Sequence, residues 1–300
     1  MSATFELGRS LAMDLRPSRS PFTLSLLALR RDPMAMIGIA LYLVLVVVAV
    51  FAGRLAPYDP MAVHMRDRLA GPSAAYLLGT DELGRDLLSR IIYGARVSLS
   101  VGVVSVGIGC GFGVLLGLVA GYRGGSLDSV IMRALDGVLA FPSLILAMAI
   151  VSALGPNVFN AMIAIGVVSI PSFARITRGS VLSLREKEFV EASRALGASD
   201  ARLMFRSLLP NCLSPLLVQA SIAFSEAVLT ESALSFLGLG VQPPTPSWGA
   251  MLDTGRKFLS QTAWYAFSAG AAIFLAVLSL NLIGDGLRDA LDPRLQGKQK

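Results

Sequence analysis

Four carboxylates lie in or at the edges of long apolar stretches: Asp136, Glu226, Glu231 and Asp285. A charge inside a membrane is costly, so each is a candidate for a solute or ion pathway. Asp136 and Asp285 have a blander alternative. Arg133 and Arg288 lie one helical turn away, and local pairing would leave neither acid free. Glu226 and Glu231 have no such neighbour in sequence. Their alternatives are a cation on a second chain or emergence at the outer mouth of a pathway. Other chemistry is poorly supplied. The only Gly-Lys pair, Gly297-Lys298, is followed by Gln299 and cannot complete a phosphate-binding G-x-x-x-x-G-K-[ST] loop. There is no H-E-x-x-H and no G-x-S-x-G. His64, the single histidine, and the two cysteines, Cys110 and Cys212, form no metal-ligand pattern. The sequence therefore predicts no catalytic residue, no bound cofactor and no metal.

These acids need a scaffold, and the composition says which kind. Apolar residues make up 54% of the 300, and charged residues 15%, against roughly 25% charged in soluble domains. Mean hydropathy is +0.66. A soluble globule could not cover itself with so few charges. The net charge of +6 is what basic loops on one side of a membrane produce, and no nucleic-acid partner is expected.

A span needs about 20 apolar residues. Met34–Gly53 and Val97–Tyr122 carry no charge and read as spans one and two. Residues 137–174 hold two more, separated by the turn signal Gly155-Pro156-Asn157. Span five runs from about Cys212 to Leu237, and span six lies within Phe258–Gly284. The fold class expected is an all-α polytopic membrane protein with six transmembrane helices. With the N-terminus inside, 18 of the 26 Lys and Arg residues fall on the cytoplasmic side, as the positive-inside rule requires. Residues 1–33 are then a cytoplasmic segment without a cleavable leader, with Phe22–Leu29 as an amphipathic surface helix. Residues 54–96 form a long outer loop, 97–286 a five-helix core, and 287–300 a cytoplasmic tail. Pro142 and Pro171 would bend or break spans three and four. Gly109 and Gly113, with four more glycines in span two, suit close helix packing. Trp248, in a stiff outer segment rich in proline, suits an interfacial anchor.

Two loops are better specified than linkers need to be. In the outer loop, Thr80 or Asp81 can cap a helix whose face Leu87, Leu88, Ile91 and Ile92 would lie at the interface. In the cytoplasmic loop 175–211, Glu188–Leu196 reads as a short amphipathic helix with Phe189, Ala192, Ser193 and Leu196 on one face. Gly197 terminates it. Ser199 or Asp200 caps a second helix, which Pro210 ends or bends.

Glu191-Ala192-Ser193, then three residues and Gly197, with Leu209-Pro210 further along, resembles the EAA motif of ABC-importer permeases, E-A-A-x3-G-x9-I-x-L-P. Ser193 replaces the second alanine and Ser207 the isoleucine. The segments LGTDELGRDLLSR (78–90), SFLGLGVQPPTPSWGAML (235–252) and NLIGDGLRDALDPRL (281–295) resemble the C-type permeases of dipeptide and oligopeptide importers. The similarity covers about residues 31–295. It implies a type I importer permease fold in the bacterial inner membrane. It also implies four kinds of partner: a second homologous permease, two ATP-binding subunits, a periplasmic or lipid-anchored substrate-binding protein, and membrane lipid. ATP and magnesium would belong to the ATPases. The loop helix would dock on an ATPase through Phe189, Glu191, Ala192, Leu196, Gly197 and Pro210. Glu226, Glu231 and Asp136 are the pathway candidates, since an acid could meet the amino end of a zwitterionic peptide. Nickel or glutathione uptake is the near alternative. An ion-gradient-driven carrier is the distant one, and it would call for an internal repeat that the sequence does not show.

Overall fold

The computed structural model describes residues 29, 30 and 32–291, so all but the last residue of the expected Phe22–Leu29 surface helix and most of the cytoplasmic tail lie outside the described residues. The described chain is helical: α1 (Pro33–Val50), α2 (Ala52–Leu55), α3 (Leu87–Arg123), α4 (Gly125–Leu139), α5 (Ser143–Leu154), α6 (Val158–Leu184), α7 (Glu188–Ala195), α8 (Asp200–Arg202), α9 (Leu209–Phe236), α10 (Trp248–Lys257) and α11 (Trp264–Leu291). Five runs are long and apolar enough to cross a membrane: α1, α3, α6, the continuous helical stretch 200–236, and α11. Helices α4 and α5 pass the same test together as a pair bent by 89° at the break between them, and make a sixth crossing if the pair is one span. Pro142 sits at that break as the residue before α5, where a ring without an N–H costs nothing. Pro171 does not interrupt α6.

The core is built on α3 and α6. Small residues recur every fourth position on α3, and their role is contact. A Cβ at Gly113 would lie 2.6 Å from both the Ile170 carbonyl and the Phe173 Cβ. Such approach lets two backbones pack at van der Waals distance, which is what associates helices where lipid removes the hydrophobic drive. The Ser105 hydroxyl adds a bond across the pair to the Met162 carbonyl at 3.0 Å. Gly113→Leu is expected to cost about 1–3 kcal/mol, read as thermal unfolding in detergent. Gly111→Leu, with nothing within 4 Å of the position, is the matched control and should be neutral.

The 54–96 segment departs from the expected outer loop. The helix does not start at Thr80 or Asp81. It starts at Leu87, capped by Asp86, and continues without interruption into span two. Asp86 accepts from the Ser89 N–H at 2.8 Å and the Ser89 hydroxyl at 2.6 Å. The apolar residues 87–92 are thus the first turns of the crossing rather than an interfacial helix, and Leu87 is buried. Asp81 serves the preceding turn instead. Its carboxylate accepts from the Leu83 and Arg85 N–H groups at 2.9 Å and pairs with Arg85 at 2.6 Å and Arg90 at 3.3 Å. All three side chains are buried. Arg90 also donates to the Pro60 carbonyl at 3.1 Å. Arg96 donates to the carbonyls of Ala49 and Val50 at 2.6 and 3.0 Å, closing the end of α1. The Trp248 reading is corrected too. Its ring is buried against Gly94 and its indole N–H donates to the Ile91 carbonyl at 2.9 Å, so it locks α10 to α3 and does not anchor at an interface.

Candidate functional site

Two sites emerge, a cavity within the crossings and a helical knob beyond them.

The cavity has a volume of about 320 Å3, within the roughly 300–1,000 Å3 typical of small-molecule sites. The end of α4, the start of α5, the middle of α6 and the middle of α9 enclose it. Ser143, Ser172 and Thr230 line it beside the apolar Phe141 and Ile165, as does Ser169, whose hydroxyl bonds the Gly166 carbonyl at 2.8 Å. The 89° break between α4 and α5 lies in the cavity wall, while Ala147 and Val151 of α5 stay packed against Ala161, Ala164 and Ile165 of α6. Glu226 lines this cavity and is exposed. It lies ten residues before the end of α9 at Phe236, about 15 Å at 1.5 Å per residue. A carboxylate exposed at mid-span cannot face acyl chains without large cost, so this face of the bundle meets water or another protein.

The other acids are placed differently. Asp136 does not pair with Arg133. It meets Arg175 of α6 at 2.5 Å, and Asp128 meets Arg178 at 2.6 Å, so two ion pairs clamp α4 onto α6. Sequence distance hid both partners. Among the described residues no ion pair joins Asp285 to Arg288. Glu231 is fully buried and lies away from the cavity lining. It accepts from the Ser235 hydroxyl at 2.7 Å and the Ser98 hydroxyl at 3.4 Å, which ties α9 to α3.

The knob is α7 and its flanks. The helix spans Glu188–Ala195, with Leu196 as its C-cap and Gly197 at φ +81°. The Gly197 N–H bonds the Arg194 carbonyl at 2.9 Å and the Ala198 N–H bonds the Ser193 carbonyl at 3.1 Å, a Schellman ending. Phe189 is 43% exposed and Leu196 89% exposed, while Glu191 and Ala192 are open on the same short helix. Val190 alone is buried, and it packs with Leu203, Leu208, Phe173 and Leu118. Ser199 caps α8. Tyr122 at the end of α3 donates to Asp200 at 2.7 Å, and Arg185 donates to the Gly121 carbonyl at 3.1 Å. The knob is therefore bolted to the ends of α3, α6 and α9 while its apolar residues stay uncovered.

Pro210 neither ends nor starts a separate helix. The run 200–236 passes through it, with a wide π-type turn over Leu203–Leu208 just before it. Leu209 N–H reaches back five residues to the Met204 carbonyl. The proline ring would clash with the carbonyl four residues earlier, at Arg206, and widening the helix relieves that contact.

Comparison with known proteins places these features in a family. Residues 113–297 match the binding-protein-dependent transport system inner membrane component family, and residues 20–72 match the N-terminal TM domain of oligopeptide transport permease C. The chain is 51% identical to the di/tripeptide transport system permease protein DppC of Pseudomonas aeruginosa (strain UCBPP-PA14), over 86% of this chain and 88% of that one. It is 45% identical to the dipeptide transport system permease protein DppC of Haemophilus influenzae, over 87% and 91% of the two chains. It is 46% identical to the glutathione transport system permease protein GsiD of Pectobacterium atrosepticum, over 85% of each. The inward-facing MetNI methionine ABC transporter shares the fold, with a TM-score of 0.57 at 20% identity over 69% of this chain and 98% of that one.

Proposed function

We propose, because this chain belongs to the binding-protein-dependent transport system inner membrane component family, that it carries short peptides across the bacterial inner membrane as one permease of an ATP-driven importer. The observation that carries the coupling half of this reading is the knob. A short helix held rigidly by Val190, with Phe189 and Leu196 left in water, is built to enter a groove on a partner. We assign that partner as an ATP-binding subunit, with Glu191 as an ion-pair group at its rim. A second homologous permease, a second ATPase and a periplasmic or lipid-anchored binding protein complete the assembly. The N-terminus and the α7 knob are cytoplasmic, by the distribution of Lys and Arg. ATPase closure pulls the knob and, through Asp200, Val190 and Arg185, moves α3, α6 and α9 as one body. The 320 Å3 cavity is this chain's share of the pathway. Asp136, paired with Arg175 outside the cavity lining, holds α4 to α6, and Glu231 holds the helices together without touching the solute.

Peptide is preferred over other solutes because 51% identity to a di/tripeptide permease is the highest among the relatives compared above. Glutathione, itself a tripeptide, is the second reading, on the 46% identity to a glutathione permease. The test is purification from native membranes in mild detergent, followed by reconstitution with the co-purifying subunits. The expected result is a second permease, two ATPase chains, and ATP-dependent uptake of dialanine that survives a protonophore. Uptake abolished by the protonophore and indifferent to ATP would replace this reading with an ion-gradient-driven carrier. Uptake of glutathione in place of dialanine would move the assignment to the second reading.

A further inference from the structure

We propose that Glu226 is the group that selects for a free amino terminus on the transported peptide, and that the cavity around it is indifferent to the peptide's carboxyl terminus. The inference rests on the importer reading and adds to it which end of the solute this permease reads.

Among the acids of the crossings, Asp285 lies outside the cavity lining. Asp128 and Asp136 are neutralised by Arg178 and Arg175. Glu231 is enclosed by serine hydroxyls. Among the described residues Glu226 forms neither an ion pair nor a side-chain hydrogen bond, yet its carboxylate stands at mid-span on the wall of a cavity. The other polar groups of that wall are hydroxyls. Thr230 lies one turn along the same helix, and Ser143 of α5 and Ser172 of α6 line the same cavity. No lysine or arginine lines the cavity.

A carboxylate with hydroxyls around it matches an ammonium group, which has three donors and no acceptor. The match is enhanced by depth, since a charge at this level is costly alone and far less so when paired. The same wall offers nothing cationic to a carboxylate. A solute held here is therefore fixed by its amino end, and its carboxyl end points away, towards the subunit or water that completes the pathway.

The test uses the complete reconstituted importer with its binding protein. Solutes are dialanine, dialanine amide and N-acetyl-dialanine, each supplied at saturation of the binding protein as measured separately. With the wild-type chain, dialanine and its amide are expected to enter at similar rates and the acetylated peptide at least about tenfold more slowly. Glu226→Gln should slow dialanine by about tenfold or more and erase the preference over the acetylated peptide. Glu226→Asp should restore the preference. Assembly and ATPase activity stimulated by the loaded binding protein should be retained in both variants. Wild-type rates of dialanine entry in Glu226→Gln would overturn the inference while leaving the importer reading intact. Dissociation of the two permeases in that variant would also overturn it, by assigning Glu226 to a cation on the partner. A wild-type importer that takes up none of the three peptides would overturn both.

Discussion

Asp81→Ala is expected to unfold the connection between α1 and α3 and to lower stability by about 3–5 kcal/mol, the cost of breaking a buried ion pair from one side. Asp81 is fully buried and balances two arginines, Arg85 and Arg90, that are themselves almost wholly buried. Removing it leaves buried Arg90 without its anion and Arg85 with Glu82 alone, at 2.9 Å. The same carboxylate also satisfies two backbone N–H groups, those of Leu83 and Arg85, so the turn that sets up Asp86 as the cap of α3 is lost with it. The measurement is thermal unfolding of the detergent-solubilised complex, together with limited proteolysis between residues 60 and 86. Asp81→Asn keeps the hydrogen-bond acceptor but not the charge, and should fall between wild type and Ala. A variant as stable and as protease-resistant as wild type would refute this account of the loop.

The second large effect is at the knob. Gly197 at φ +81° lies in the left-handed region, where a β-branched residue is strained. Gly197→Val would force the Schellman ending open and swing the exposed Leu196 away from Phe189. Glu191→Lys reverses the charge on the same face. If these residues are the docking surface, the double variant removes interactions of about 2–4 kcal/mol, a fall of roughly 30- to 900-fold in ATPase affinity. The readouts are co-purification of the ATPase chains and ATP-driven uptake, with membrane insertion unchanged. Gly197→Asn tolerates the left-handed conformation and should stay within a few-fold of wild type. Normal ATP-driven uptake by the double variant would sink the assignment.

Much of this architecture was legible in the residues because a membrane imposes simple rules. Uncharged runs located the crossings, and Gly197 marked the end of α7, since only a residue free to take positive φ closes a helix that way. What could not be read was set by contacts remote in sequence. Asp136 finds Arg175, 39 positions away, in preference to Arg133 one turn along its own helix. Trp248 has the composition of an interfacial anchor, but the small Gly94 opens a slot that takes the whole ring. The start of α3 was misplaced for a related reason. Asp81 and Asp86 are equally good caps by type, and the choice falls to Asp86 because the two arginines already occupy Asp81. Glu226 and Glu231 look alike in sequence. They part only because serines on α3 and α9 surround one and a broken crossing exposes the other.

That broken crossing also changes what the bilayer must accommodate. The 12 residues of α5 reach only about 18 Å, against a hydrocarbon layer of about 30 Å. With α4 turned 89° away, the third crossing is a partial-thickness septum beside a lateral shelf. The low-dielectric wall at the cavity is correspondingly narrow, little more than half the depth that a full-length helix would impose.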